Sequence, residues 1–365
     1  MKSAKLVGVA LVALVLFVGG CQQPNGGGPP SGGSSSTIYT AGQYYDGSKT
    51  VACYWIGTTR QDLPVPTGST GSIAYAISIS GGTVYTSGSY TGGSGLRTAC
   101  YWAGTNRQDL PVPAGTISSE AYALSVSGGT VYTAGYLVTT GGEIACYWAG
   151  ATQQNLQVPA GGANAFPYAL CVSGGTVYTA GTYTNSSSLP IACYWANTTE
   201  YDLPGGVAPI GAYADWIFIS AGTIYTAGSN YTSSTSSVAC YWTGTTRQDL
   251  PAPSGAVYGV AGSIFVSGGT VYTAGYYTTN TTAYKDVACY WIGATEQDLP
   301  VPAGSGSSVA NSICLVGNTI YTAGRYNDGT KDVACYWTGT TRQDLPGGTT
   351  GEYPNGSIAM AVLVQ

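Results

Sequence analysis

The chain has 365 residues, of which 44% are hydrophobic and only 7% charged, with a net charge of −5 and no histidine. No cluster of lysine or arginine exists, which excludes nucleic acid and an anionic membrane surface as partners, since both require a basic patch. Acid–base chemistry is left to carboxylates, lysine, tyrosine or cysteine. With 55 glycines, 31 tyrosines and no sustained period near 3.6, the composition points to an all-β class with ample chain for a core.

Residues 1 to 21, MKSAKLVGVALVALVLFVGGC, place Lys2 and Lys5 before an uncharged apolar run ending in small residues, the layout of a secretory signal peptide. Leu6 to Val18 is too short to span ~30 Å of hydrocarbon. Val18-Gly19-Gly20-Cys21 resembles a bacterial lipobox, with Cys21 the acylated residue, and Gln22 after it resembles lipoproteins sent to the outer membrane. Residues 22 to 36, rich in Gly, Pro, Ser, Asn and Gln, read as a flexible tether. The expectation is a monomeric head on a lipid leash at the outer membrane or cell surface.

Beyond the tether one phrase recurs seven times: A-Y-A-I-S-V-S-G-G-T-V-Y-T-A-G-Y, a variable stretch, then A-C-Y-W-x-G-T-T-R-Q-D-L-P-V-P. Trp55, Trp102, Trp148, Trp195, Trp242, Trp291 and Trp337 keep the register at spacings of 47, 46, 47, 47, 49 and 46. Residues 37 to 365 number seven times 47. Each unit holds four strand-like runs separated by turn signals, of which Ser72 to Ile79, Gly81-Gly82, Thr83 to Thr86, Thr98 to Ala103 and Arg107 to Val112 are one example. Four strands at this period predict a seven-bladed β-propeller of antiparallel blades. The first unit lacks its first strand, and the C-terminal run from Ser357 to Val364 matches it, so the C-terminus is expected to complete the first blade.

The strand order with GGTVYTAGxY and LPxP is similar to kelch repeats, and ACYWxGTTRQDL resembles the HAF-type extracellular repeats of bacteria, which also form propellers. The resemblance covers residues 37 to 365. It implies the propeller fold, but one glycine follows the tyrosine-threonine strand where kelch has a pair, and Asp stands before Leu-Pro where kelch has Trp. Kelch partners are therefore not carried over.

The repeated residues read as packing. Cys and Trp, two apart in the third strand, share one face and fill the wedge between blades, while Ala and Tyr fill the other. Cys53, Cys100, Cys146, Cys193, Cys240, Cys289 and Cys335 share one repeat position, too far apart for the ~7 Å that a disulfide allows. With Cys171 and Cys314 they read as nine buried free thiols. No metal or other cofactor is expected, because histidine and C-x-x-C are both absent. Asp46-Gly47 and Asp328-Gly329 read as turns. Arg and Asp in R-Q-D-L point to one side, which suggests ion pairs across blades.

Function is less constrained. No pair of carboxylates can be placed across a cleft, so the chain is not expected to be an enzyme. The first-to-second and third-to-fourth turns are nearly uniform and belong to one face of the disc. The second-to-third loops and the links between blades diverge and belong to the other, where Tyr, Ser, Thr, Gly and Asn resemble paratope chemistry. Tyr75, Tyr122 and Tyr168 share one first-strand position with Asp215, Gly262, Asn311 and Met360, an asymmetric channel mouth if it faces the axis. The expectation is a non-catalytic binding or adhesive head for a glycan or an extracellular protein. Its contacts are Tyr45, Tyr231, Tyr258, Tyr284 and Tyr353, with Glu120, Asp215, Trp216 and Glu352 near the mouth. The alternatives are a propeller enzyme acting on surface polysaccharide and a coat protein without a ligand.

Overall fold

A computed structural model describes residues 19–20, 36–206, 211–279, 284–348 and 351–365, with 19–20 and 351–355 as backbone only. Residues 1–18 and 21–35, and with them Cys21 and nearly all of the tether, lie outside the described residues. Gly19–Gly20 pairs in parallel with Ala169 and Leu170.

The repeats fold as seven four-stranded antiparallel blades. Blade 2 is representative: Gly71–Ser80, Thr83–Thr91, Arg97–Ala103 and Asn106–Asp109. β-Branched and aromatic residues supply the strands, and Gly81 and Gly82, both at positive φ (56° and 74°), supply the tight first turn. Blades 3 to 7 span 118–155, 163–202, 212–249, 256–298 and 308–344 in the same order. Blade 1 takes Ile38–Tyr45, Thr50–Ile56 and Thr59–Asp62 from the N-terminal side. Its first strand is the C-terminal Gly351–Val364, which pairs antiparallel with Ile38–Tyr45 from Ile38↔Val364 to Tyr44↔Ser357. Thr37 and Gln365 exchange backbone hydrogen bonds at the end of this pairing, on the face that carries the uniform turns. The first strands of successive blades touch in a cycle that includes blades 7, 1 and 2, so they surround the axis.

Blades interlock through their third strands. Cys100 and Trp102 of blade 2 cluster with Ala52 and Tyr54 of blade 1, and Cys53 and Trp55 of blade 1 cluster with Ala334 and Leu345 of blade 7. All seven register tryptophans are wholly buried. A buried indole N–H needs an acceptor, and every one finds it in the preceding blade. Trp102 donates to Pro64 O, Trp148 to Pro111 O, Trp195 to Gln157 O, Trp242 to Pro204 O, Trp291 to Pro251 O and Trp337 to Pro300 O. Trp55 donates to Pro346 O of blade 7, at 2.9 Å. The acceptor follows the leucine of the Asp-Leu-Pro phrase, itself buried at Leu63, Leu110, Leu203, Leu250, Leu299 and Leu345. One phrase therefore packs its own blade and receives the next.

The nine cysteines from Cys53 to Cys335 are free thiols, eight buried and Cys314 half-buried. Asp46 and Asp328 accept from the backbone N–H groups of Ser48 and Lys49, and of Thr330 and Lys331, which makes both of them turn residues.

The arginines depart from expectation. Rather than crossing between blades, Arg60, Arg107, Arg247 and Arg342 each bond the aspartate two residues on, at 2.7 to 2.8 Å. Strand alternation sets both side chains on one side about 7 Å apart along the chain, so the nearest partner is local. Tyr44, Tyr90 and Tyr326 donate their hydroxyls to Asp62, Asp109 and Asp344 and lie beneath the guanidinium groups of Arg60, Arg107 and Arg342. These half-exposed pairs contribute little to stability.

In blades 4 and 6 glutamate replaces the arginine, which sets Glu200 beside Asp202 and Glu296 beside Asp298. Burial, and after it the neighbouring aspartate, pushes Glu200 up to about 8 and Glu296 up to about 7. The folded state thus holds protons that the unfolded chain releases near 4.5, so this contribution is present in full below that pH and is lost as pH rises to about 8. Denaturant melts from pH 4 to 9 should show this decline, and Glu200→Arg with Glu296→Arg should flatten it. An unchanged slope in the double variant would count against the paired carboxylates. Removing Ser357 to Gln365 should strip blade 1 of most of its first strand, so that the truncated protein loses its cooperative thermal transition. A retained transition would mean that the remaining blades hold the ring alone.

Candidate functional site

The repeat aims one residue per blade at the axis. Opposite the middle of each first strand stands a second-strand glycine: Gly42, Gly88, Gly135, Gly181, Gly228, Gly275 or Gly324. A Cβ at any of them would lie 1.8 to 2.0 Å from a first-strand carbonyl oxygen, Tyr213 O in the case of Gly228. The first strand closes onto the glycine and bulges at the next step. The register shifts at Tyr75, Tyr122, Tyr168, Asp215, Gly262, Asn311 and Met360, each left without a cross-strand partner. A bulge re-aims its residue, and the tyrosines show where. Tyr75 and Tyr122, on neighbouring blades, meet edge to face at 4.9 Å, and Tyr122 and Tyr168 lie 6.1 Å apart.

Around these three rings the aromatic half of the mouth is built. Tyr136 and Phe166 pack against them, with Phe166 stacked over Tyr168. Glu120 is buried among the rings and fully occupied: it accepts from Tyr75 at 2.9 Å, from Tyr136 at 3.0 Å and from Arg97 Nη1 at 2.6 Å. Burial and this carboxylate raise the Tyr75 hydroxyl well above its ordinary range and Tyr136 to about 12.

On the far side, Arg325 Nη1 bonds Asp332 at 2.5 Å, and Asp332 also accepts from Asn327. Asp286 accepts from Thr278 at 2.8 Å. Burial raises its carboxyl, opposed by that bond and by Arg325. Here the bulged positions carry Gly262, Asn311 and Met360, and Asn311 Nδ2 donates to Ala359 O.

Between the two halves stands Asp215. The residue is buried, 7% exposed, and its carboxylate receives no hydrogen bond from the described residues. Desolvation alone pushes it up to about 7, with no cation offsetting the shift.

The sequence-predicted residues fall into four sets. Glu120 and Asp215 stand at the mouth. Tyr231 meets Tyr213, two residues before Asp215, at 5.8 Å, and Tyr258 lines a cavity of 130 Å³ with Ser237 and Pro253 at the seam of blades 5 and 6. Tyr45 lies apart, with Asp46, Arg60 and Gly347 around a shallow 350 Å³ groove at the seam of blades 7 and 1, and Tyr284 projects from its loop, 70% exposed. Trp216 turns away from the mouth into the core between blades. The side chains of Glu352 and Tyr353 lie outside the described residues. Missed by sequence reasoning were Tyr136, Tyr276 and Arg325, which all follow the second-strand glycine, and Arg97. A variable residue inside an otherwise uniform strand was the available signal.

No protein-family model matches the chain, and no curated protein does. Among solved structures, a puromycin-hydrolysing peptidase of Mycobacterium tuberculosis superposes with a TM-score of 0.51 at 11% identity, covering 85% of this chain. This chain spans 53% of that peptidase. YjhT aligns over 72% of this chain and 97% of its own length, at 12% identity and a TM-score of 0.39. The structural neighbours therefore include an enzyme, and at these identities the likeness extends to the fold alone. Blade geometry and the likeness to the peptidase agree on an all-β propeller.

Gly228→Ala tests the bulge that presents Asp215. The new methyl group would meet backbone, which cannot rotate away, so the variant should lose about 1–3 kcal/mol or more in denaturant melts. Unchanged stability would mean that the glycine is not what admits the carbonyl.

Proposed function

We propose that the protein is a lipid-anchored, non-catalytic binding head, related to kelch-like or HAF-type extracellular repeats, that engages a glycan through its variable face. The observation that carries this reading is the coincidence of three features at one end of the axis. The divergent loops, most of the non-repeated tyrosines and most of the non-repeated charges fall toward it, while the opposite end repeats the same turns seven times. Tyrosine faces with neighbouring hydroxyl and amide groups suit sugar rings. Of the mouth carboxylates, Glu120 is held by Arg97 and Asp332 by Arg325, which fits a structural role for these two.

The test is a glycan and extracellular-protein array probed with the mature head. Binding should appear and should weaken by about tenfold or more when Tyr45, Tyr231, Tyr258, Tyr284 and Tyr353 are replaced together by alanine. Binding that survives the replacement would place the contact elsewhere. Absence of any hit would favour a coat protein, and release of product from a bound polysaccharide would favour an enzyme.

A further inference from the structure

Toward the variable face, neighbouring blades are stitched by a serine. At four seams the first strand of one blade offers its hydroxyl to an alanine N–H in the third strand of the blade before it. Ala52 N donates to Ser72 Oγ, Ala99 N to Ser119 Oγ, Ala288 N to Ser308 Oγ and Ala334 N to Ser357 Oγ, at 2.9 to 3.0 Å. At two more seams Ala165 and Ala212 stand in the serine's place; the hydroxyl is lost there, but a methyl group fills the position and packs into the core between blades. The seam of blades 5 and 6 has neither hydroxyl nor methyl, because the residue is Gly259. Ala239, the buried alanine that faces it, finds no acceptor for its N–H among the described residues, and buried backbone donors are nearly always paired.

It is at this seam that the cavity of 130 Å³ opens. A cavity of about 150 Å³ admits a benzene ring, so the space takes a substituent rather than a whole sugar. Leu250, Pro253, Ala256 and Tyr258 give it largely apolar walls, and Ser237, Ala239 and Gly259 complete the lining. The strand of blade 6 lies too close for a serine: a Cβ on Gly259 would come within 2.8 Å of Ala239 N. Ser237 supplies the other polar group. Its hydroxyl accepts from Gly259 N at 3.3 Å and donates to Gly259 O at 3.1 Å, which commits its hydrogen and one of its two lone pairs. The lining residues thus offer one free donor, Ala239 N–H, and one free acceptor position, on Ser237 Oγ, among apolar surface. No lysine or arginine lines the cavity, which disfavours an anionic occupant. The complement of this set is a secondary amide ending in a methyl group, whose carbonyl accepts, whose N–H donates and whose methyl takes the apolar wall.

We propose that the cavity between blades 5 and 6 is a subsite for an acetamido group, with Ala239 N–H and Ser237 Oγ as its polar contacts and Leu250, Pro253 and Ala256 against its methyl. The inference rests on the binding reading above and narrows it, since a glycan held here carries an N-acetylated amino sugar. Tyr258 belongs both to this cavity and to the tyrosines of the variable face. An acetylated peptide end carries the same group, and the two sources are separated by experiment.

Diacetylchitobiose and cellobiose share a linkage and differ in carrying acetamido groups or hydroxyls, so the pair tests the subsite by nuclear magnetic resonance titration of the mature head. Diacetylchitobiose should bind at least about tenfold more tightly, with saturation transfer strongest at its acetyl methyl and a shift of the Ala239 amide signal. Ala256→Trp, which would fill the cavity from its edge, should abolish the preference. The thermal transition checks the folding of that variant, and Ala252→Trp, at an exposed position of the same lining, repeats the test. N-acetylalanine methylamide forms the second arm. Its binding, lost in Ala256→Trp and unaccompanied by diacetylchitobiose binding, would keep the subsite and overturn a glycan as the carrier. Equal binding of diacetylchitobiose and cellobiose would preserve the glycan reading and overturn the subsite. Failure of both acetylated probes to bind, or a preference that survives in both variants, would also overturn the subsite, and the array would then decide the glycan reading by itself.

Discussion

The indole N–H of the third strand, buried and obliged to find an acceptor, ties the ring together. Seven blades are joined by seven such bonds, each from a tryptophan to a carbonyl in the phrase that ended the blade before it. A bond of this kind contributes only about 1 kcal/mol net, but leaving the donor unpaired in the core costs about 1–3 kcal/mol. The arrangement therefore acts as a spacing rule. A blade that tilts or slips loses the acceptor and opens the seam around one of the largest side chains in the protein. Trp55 and Pro346, nearly a full chain apart in sequence, obey the same rule as every consecutive pair. Chain connectivity makes six of the seven blade contacts easy to form, and the seventh rests on this bond and on the C-terminal strand.

With the scaffold held by the third strands, the first strands are released from packing at one position each. The glycine on the second strand draws a carbonyl inward and forces a bulge, and the bulged side chain is no longer needed by the sheet. Tyr75, Tyr122 and Tyr168 pack against one another there, while Asp215 receives no hydrogen bond from the described residues. Uniform repeats and a non-uniform mouth are thus two results of one local geometry. The division is sharp: the third strand repeats A-C-Y-W without exception, while the bulged position takes five different residues in seven blades.

Much of the fold was legible because a period near 47 with four strand-like runs admits few architectures, and because the C-terminal run matches the strand missing from blade 1. The burial of Trp and Cys on one face followed from alternation alone. Other features were not legible. Whether Arg60 would reach its neighbour in sequence or the next blade depends on the splay between blades, which no pattern encodes. A bulge shifts the alternation by one step, so Trp216 could not be separated from Asp215 until the register was known; one belongs to the core and the other to the axis. Tyr136, Tyr276 and Arg325 sit just after a glycine whose role in the bulge is a three-dimensional fact. Arg97 and Glu120 belong to different blades, and nothing in their spacing brings them together.

The pairing of Thr37 with Gln365 also sets the side on which the chain enters and leaves the propeller. Both ends of the propeller emerge among the uniform turns, on the side of the disc away from the divergent loops. A leash attached ahead of Thr37 would pull on that side, holding the constant turns toward the anchoring surface and turning the mouth with Asp215 outward. Polarity of presentation would then need no partner to impose it, because it is set by which strand of blade 1 the chain enters first.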